Sequence, residues 1–349
     1  MKKMKKLMAL LLTLVLTLSI SACSDNTDKD ADTSADTDTD ETASADDTAE
    51  TQTYTVGIIQ YAPHASLDNC YDGIVQGLAE AGYVEGENLN IDFQNAQGDT
   101  ETSDLMAKNM VASGYDMIIA IATPSAMSAY SAAMGTDIPV VFSAVSDPVS
   151  AGIVESLEKP GGGATGTSDA LNLDGQMAMI REFLPDADTI GILYTTSEPN
   201  SVAHLAEFEA LAEDYGFTIE SVGITDASEV QSGAAALVAK GVDCINNFTD
   251  NNVVNNLSTL LNEATEAGIP VFGSEEEQVV NGCVASETLD YVALGAETGQ
   301  IAADILEGAD VSTIPVSIIK DSTPVYSSTN LEKFGIPLPD AYSHATDVG

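Results

Sequence analysis

The residues able to do chemistry in this chain are hydroxyls, amides and carboxylates gathered just after a series of short apolar runs. Gln60, Tyr61 and His64 follow the first run, Thr123, Pro124 and Ser125 the third, and Ser143, Ser146 and Asp147 the fourth. A second series repeats the arrangement with Ser197, Glu198, Asn200 and Ser201, then Thr249, Asp250 and Asn251, then Ser274 and Glu275. Taken singly, each reads as a helix cap, because a small polar side chain accepts from the first free N–H groups of a helix. Clustered after successive runs, they read as a binding surface. Helix N-termini at Ser125 and Ser201 can hold a carboxylate with backbone N–H groups, and acids such as Asp169 and Asp250 can hold an ammonium group. The set suits an amino acid zwitterion. Arg181 is the one arginine and falls in a helical stretch, so no arginine clamp is expected.

Catalytic constellations are poorly represented. His64, His204 and His344 have neither metal-ligand nor nucleophile-partner spacing. His204 falls in a helical stripe and reads as a surface residue. The run Gly161-Gly162-Gly163-Ala164-Thr165-Gly166 matches GxGxxG, yet it follows Glu158-Lys159-Pro160 instead of a strand and opens no helix. No enzyme, cofactor or metal site is expected.

The elements that must position these residues alternate regularly. Thr55 to Gln60, Leu89 to Phe93, Met117 to Ile121 and Pro139 to Phe142 read as buried strands. Between them, Leu67, Tyr71, Ile74 and Leu78 recur at helical spacing before Gly82, Glu101 to Ser113 form a second helix, and Thr123-Pro124 open a third. The pattern restarts at Ile190 to Tyr194 and runs through strands at 218–222, 242–248 and 269–272. Leu294 to Ile305 make a last helix, and Val316 to Ile319 a last strand. Continuous apolar strands alternating with helices predict parallel sheets covered on both faces. Two sets predict two Rossmann-like α/β lobes joined by a hinge: 54–169 with 287–310, and 170–286 with 311–349. Ligands of such sheets sit outside the carboxyl ends of the strands.

The N-terminal region reads differently. Four lysines within the first six residues precede an apolar run from Leu7 to Ile20, too short for a comfortable span, which reads as a signal peptide over 1–22. Ile20-Ser21-Ala22-Cys23 resembles a lipobox, which makes Cys23 the lipidated residue. Residues 24–50 hold eleven acids against Lys29 alone, so 23–53 read as a tether and a disordered linker. The formal charge is −44, and without the signal's lysines 7 basic residues face 55 acidic ones. Such a field repels phosphate backbones and excludes nucleic acid as a partner. Cys70, Cys244 and Cys283 form no CxxC pair and read as buried free thiols.

The blocks Ile119 to Ala126, Pro139 to Pro148 and Leu157 to Gly163 with Thr165-Gly166-Thr167-Ser168-Asp169 resemble the ABC-transporter substrate-binding proteins of the tryptophan/tyrosine-uptake type. Asn95 to Asp99 and Thr249-Asp250-Asn251 fit the same pattern, and the resemblance extends from Tyr54 to Pro337. It implies a type I periplasmic-binding-protein fold that closes on a small amino acid, most often aromatic, and delivers it to an ABC permease from outside a bacterial membrane, as a monomer. A surface receptor or adhesin on the same fold, or a binder of another small carboxylate, is the alternative. By the same resemblance Thr123 and Ser125, with Asn200 and Ser201, would bind carboxylate, Asp169 and Asp250 the ammonium group, and Tyr61, Tyr194 or Phe248 the ring. Gln60, Ser143, Ser197, Thr249, Asn251 and Glu275 complete the expected ligand-binding set. Departures in the loop 60–64, at Phe248 and at Ser274 flank the pocket.

Overall fold

The structure is a computed structural model that describes residues 52–319 and 321–349. The signal segment, Cys23 and nearly all of the linker lie outside the described residues. In chain order the elements are β1 Tyr54–Gln60, α1 Ala65–Glu80, β2 Leu89–Asn95, α2 Thr100–Ala112, β3 Met117–Ile121, α3 Thr123–Ala133, β4 Val140–Ser143, β5 Ala164–Ser168 and α4 Leu173–Phe183. There follow β6 Thr189–Thr195, α5 Pro199–Ala212, β7 Thr218–Ile224, α6 Val230–Lys240, β8 Cys244–Asn246, α7 Asn251–Asn255, α8 Leu257–Glu266, β9 Val271–Phe272 and α9 Glu276–Val280. The chain ends with β10 Ala285–Thr288, α10 Tyr291–Leu306, β11 Ser317–Ile318, β12 Thr323–Tyr326, α11 Ser328–Phe334 and β13 Thr346–Asp347.

Lobe one is a parallel sheet in the order β11-β5-β4-β3-β1-β2. Alternate residues of each strand point to opposite faces, and the core divides accordingly. Val56, Ile58, Ile119 and Ile121 pack with α1 and α10. Ile59, Ile118, Ala120 and Phe142 pack with α2 and α3. Lobe two is a parallel sheet β7-β6-β8-β9. It continues into β10-β12-β13 where Val284 N donates to Val271 O at 2.7 Å and Gly273 N to Ala285 O at 2.9 Å. The expected α/β architecture of two parallel-sheet lobes is what forms.

Two details differ from expectation. The glycine run opens into β5, a strand hidden from a hydropathy reading because Thr165, Thr167 and Ser168 are buried in it. Their hydroxyls are satisfied internally: Thr167 Oγ1 lies 2.7 Å from Thr298 Oγ1, and Thr165 Oγ1 donates to Ile314 O at 2.8 Å. A buried hydroxyl with a partner is tolerated where a bare one is not. Second, the crossover boundaries move. β10, expected to be cut at residue 287, pairs throughout with β12 in lobe two. Residues from 311 were expected in lobe two, but β11 pairs with β5 in lobe one, so the last crossing falls between β11 and β12.

Close packing of α1 on α10 fixes one wall of the cleft. Gly73 and Gly77 of α1 face Gly295 and Gly299 of α10. A Cβ on Gly73 would run into Val292 O and Ala296 N, and one on Gly295 into Cys70 O. Only glycine lets the two backbones approach this far, and the approach seats Tyr291 at the start of α10 beside the strand ends. Cys70, Cys244 and Cys283 are buried free thiols, as expected.

Candidate ligand-binding site

The strand ends of the two lobes face each other across a small cavity. Lobe one lines it with His64, Leu67, Ala122, Thr123, Ala144, Ser146, Asp169 and Tyr291, and lobe two with Asn200, Thr249, Asn251 and Glu275. A wider mouth adjoins it and shares His64 and Glu275.

Helix ends explain why polar backbone reaches this place. α2, α4, α7, α10 and α11 receive side-chain caps from Asp99, Asn172, Asp250, Asp290 and Ser327. At α9 the first N–H, Glu276 N, donates to Thr288 Oγ1 at 2.9 Å, and three helices that begin from loops receive no side-chain cap: α1, α3 and α5. Their first turns carry His64, Ala122 with Thr123, and Asn200, all at the cavity. Uncapped N–H groups there are available to an anion, and the helix dipoles favour one. Pro124 and Pro199, early in α3 and α5, remove donors that would have no partner.

Asp169 is 3% exposed and takes two hydroxyl donors, Ser146 Oγ on Oδ1 at 2.9 Å and Tyr291 OH on Oδ2 at 3.1 Å. Burial raises its pKa, and both hydroxyls pull it back by favouring the carboxylate. Glu275 is pushed up to about 8 chiefly by burial, against the amide of Gln278, which donates to Oε2 at 2.8 Å. Glu275 therefore keeps its proton at neutral pH, and Asp169 is the carboxyl of the cavity wall whose hydrogen-bond donors favour the charged form. Opposite it, Asn200 Oδ1 and Thr249 Oγ1 are buried without a partner, while Asn200 Nδ2 donates to Thr249 O at 3.2 Å. Burial lowers the His64 pKa to about 4, leaving a neutral ring whose Nε2 lies 3.4 Å from Asn251 Oδ1.

The backbone under the cavity is strained. Ala122 has φ 77° and ψ 153°, and Ala144 has φ 55°. Both follow neighbouring strands, β3 and β4. A side chain at positive φ costs on the order of 1–3 kcal/mol, and such residues collect at functional sites.

Of the thirteen expected ligand-binding residues, Thr123, Asp169, Asn200, Thr249, Asn251 and Glu275 come together here. The others are used elsewhere. Gln60 Nε2 donates to Ala62 O and to Asp68 Oδ1, holding the turn into α1. Tyr61 OH donates to Gly98 O at 2.9 Å. Ser125 Oγ pairs with Ser103 Oγ between α2 and α3, and Ser143 Oγ accepts from Thr298. Ser197 is exposed, and Ser201 is buried behind Asn200. Asp250 caps α7 and accepts from Thr195 N and Thr195 Oγ1, so its oxygens are spent on lobe two itself. Phe248 packs on Phe208 at 5.3 Å, and neither it nor Tyr61 or Tyr194 lines the cavity. The aromatic rings that do are His64 and Tyr291. Tyr291 had a signal in the sequence, the capping Asp290 before it. Ala122 and Ala144 had none, because an alanine at a strand end carries no chemistry to notice. His204, expected at the surface, is 4% exposed on Phe248 with both ring nitrogens unpartnered, and burial lowers its pKa to about 4.

Residues 55–348 match the family model described as ABC transporter substrate binding protein. Over 277 residues the chain is 39% identical to a tyrosine-binding protein of Clostridioides difficile, covering 79% of each. In structure it resembles an ABC domain from Streptococcus pneumoniae in complex with L-Trp, at 34% identity and a TM-score of 0.82 over 84% of this chain and 99% of that one. It is also similar to a ligand-free, open substrate-binding protein with adhesive properties from Clostridium difficile, at 38% identity but a TM-score of 0.64, over 84% and 98%. The higher score against the complex, despite the lower identity, matches a cleft with its two lobes drawn together. The chain belongs to the family of ABC transporter substrate-binding proteins.

Proposed function

We propose that this chain is an extracytoplasmic lipoprotein, anchored through Cys23, that captures an aromatic amino acid between its lobes and presents it to an ABC permease. The observation that carries the ligand class is the pairing of one buried carboxyl, Asp169, with uncapped helix N-termini across a small cavity. An ammonium group beside Asp169 replaces the donation it now takes from Ser146 and Tyr291, and a carboxylate finds N–H groups at α3 and α5 with Thr123 and Asn200. Arg181 plays no part, since its guanidinium is spent on the carbonyls of Tyr215, Pro185, Ala187 and Gly216. Closure around a ligand held from both sides is what a permease can read. The tyrosine-binding relative and the L-Trp complex support tyrosine and tryptophan as the ligands to try first. No helix among the described residues is long and apolar enough to cross a membrane, and the lipobox supplies the anchor in this account. Attachment without transport is the second reading, supported by the relative with adhesive properties.

The chain contains no tryptophan, so indole emission from the pure protein reports bound ligand. Mass spectrometry after denaturation should release tyrosine, tryptophan or phenylalanine, and saturating amounts of the right one should raise the melting temperature. If all three leave the melting temperature unchanged, the aromatic assignment fails.

A further inference from the structure

The mouth of the cleft is fastened by side chains that do not line the inner cavity. Glu277, in the first turn of α9, accepts Ser66 Oγ on Oε2 at 3.2 Å and Asn69 Nδ2 on Oε1. Ser66 and Asn69 are three residues apart on α1, so they share a face of that helix. The contact therefore joins lobe one to lobe two through one carboxylate. Ser66 is 1% exposed and Glu277 half-buried. Ser66 and Glu277 line the wider mouth with His64 and Glu275. Glu275 and Glu277 lie on the same short segment after β9, so the piece of chain that forms part of the cavity wall also carries the fastening.

We propose that Glu277 is a positioning residue that clasps the closed cleft and sets how long the ligand stays, without touching it. The proposal rests on the reading that the ligand is held between the lobes. Its physical basis is that Ser66, Asn69 and Glu277 meet only when the lobes are drawn together, so their hydrogen bonds stabilise the closed form alone. A ligand enters the open form and leaves through it. A contact exclusive to the closed form therefore slows departure and leaves encounter nearly unchanged. Two hydrogen bonds to a half-exposed carboxylate are partly replaced by water on opening, which keeps the effect on the order of tenfold.

Dissociation of L-tryptophan can be followed by its own fluorescence in stopped flow, with L-tyrosine as the competing ligand. Glu277→Ala should speed dissociation on the order of tenfold while association stays within about twofold. Asn69→Ala should add little in the Glu277→Ala background, because the two act through one contact. Glu277→Gln keeps an acceptor for Asn69 and can donate to Ser66, and should recover most of the wild-type rate. Unchanged dissociation in Glu277→Ala, or losses that simply add, would overturn the clasp. Small-angle scattering of the same proteins separates this from the ligand assignment. If the wild type binds neither amino acid, the ligand assignment fails, and the clasp then stands on a larger radius of gyration for Glu277→Ala and falls if the radius is unchanged.

Discussion

Asp169 and Asp250 follow strands in the two lobes and read alike in the sequence, yet their surroundings give them different work. Asp169 takes two side-chain hydroxyls and lines the cavity. Asp250 takes backbone N–H groups of Thr195 and Val253 with the Thr195 hydroxyl, and ties β6 to α7. Hydroxyl donors can rotate away to admit a ligand, whereas backbone donors that belong to a strand and a helix cannot. A buried aspartate is thus available for binding when its donors are movable, and structural when they are fixed. The same contrast separates the helix ends. Of these, α1, α3 and α5 meet the cavity without a side-chain cap, whereas α2, α4 and α11 are capped away from it.

Four substitutions break or sharpen this comparison. Asp169→Asn should lower affinity on the order of a hundredfold, about 3 kcal/mol, with a small effect on unfolding. Calorimetric titration beside a urea melt measures both. Asp250→Ala should show the reverse, losing roughly 2–3 kcal/mol of stability by leaving buried donors of Thr195 and Val253 unpaired, with affinity falling only as the fold loosens.

His204 tests how the lobes respond to acid. Its native pKa of about 4 lies below the ordinary 6.5, so the unfolded chain takes up its proton first. Stability is therefore present above about pH 6.5 and is lost as pH falls toward 4. The Asp147 carboxylate opposes burial by favouring the charged ring. His204→Leu should remove on the order of 2 kcal/mol of that acid sensitivity, read as a flatter melting temperature between pH 6.5 and 4. Glu275, with its pKa raised from 4.5 to about 8, has the opposite sign and costs stability as pH rises through that window. The smallest effect is expected at Ala122→Gly, where relief of the backbone at φ 77° is offset by glycine's entropy, for a net gain of about 1 kcal/mol in denaturant unfolding.

Much of the fold was legible because β1, β3 and β6 are continuous apolar runs and the helices between them end at glycines. β5 was not legible, since its hydroxyls are satisfied by Thr298 and Ile314, partners far along the chain that no local pattern shows. The crossover at β11 was misplaced for a related reason: a two-residue strand takes its lobe from the neighbour it pairs with. At the site, residue type and position pointed to Thr123, Asp169, Asn200 and Thr249, which line the cavity. They marked Ser125, Ser143 and Asp250 equally, because the direction of a side chain after a strand depends on backbone angles and on which donors lie nearby. Ala122 and Ala144 matter through φ, which leaves no polar signature, and Tyr291 was marked only by the helix cap Asp290 before it.

The central claim is that Asp169 and the uncapped helix ends hold the two charged groups of one amino acid. Titration of ligand-stripped protein with L-tyrosine and L-tryptophan beside their N-acetyl derivatives tests it most directly. Saturable binding of at least one free amino acid, with its acetylated form weaker on the order of a hundredfold, is the predicted result, because acetylation removes the charge that Asp169 meets. Equal binding of the free and acetylated forms would contradict it.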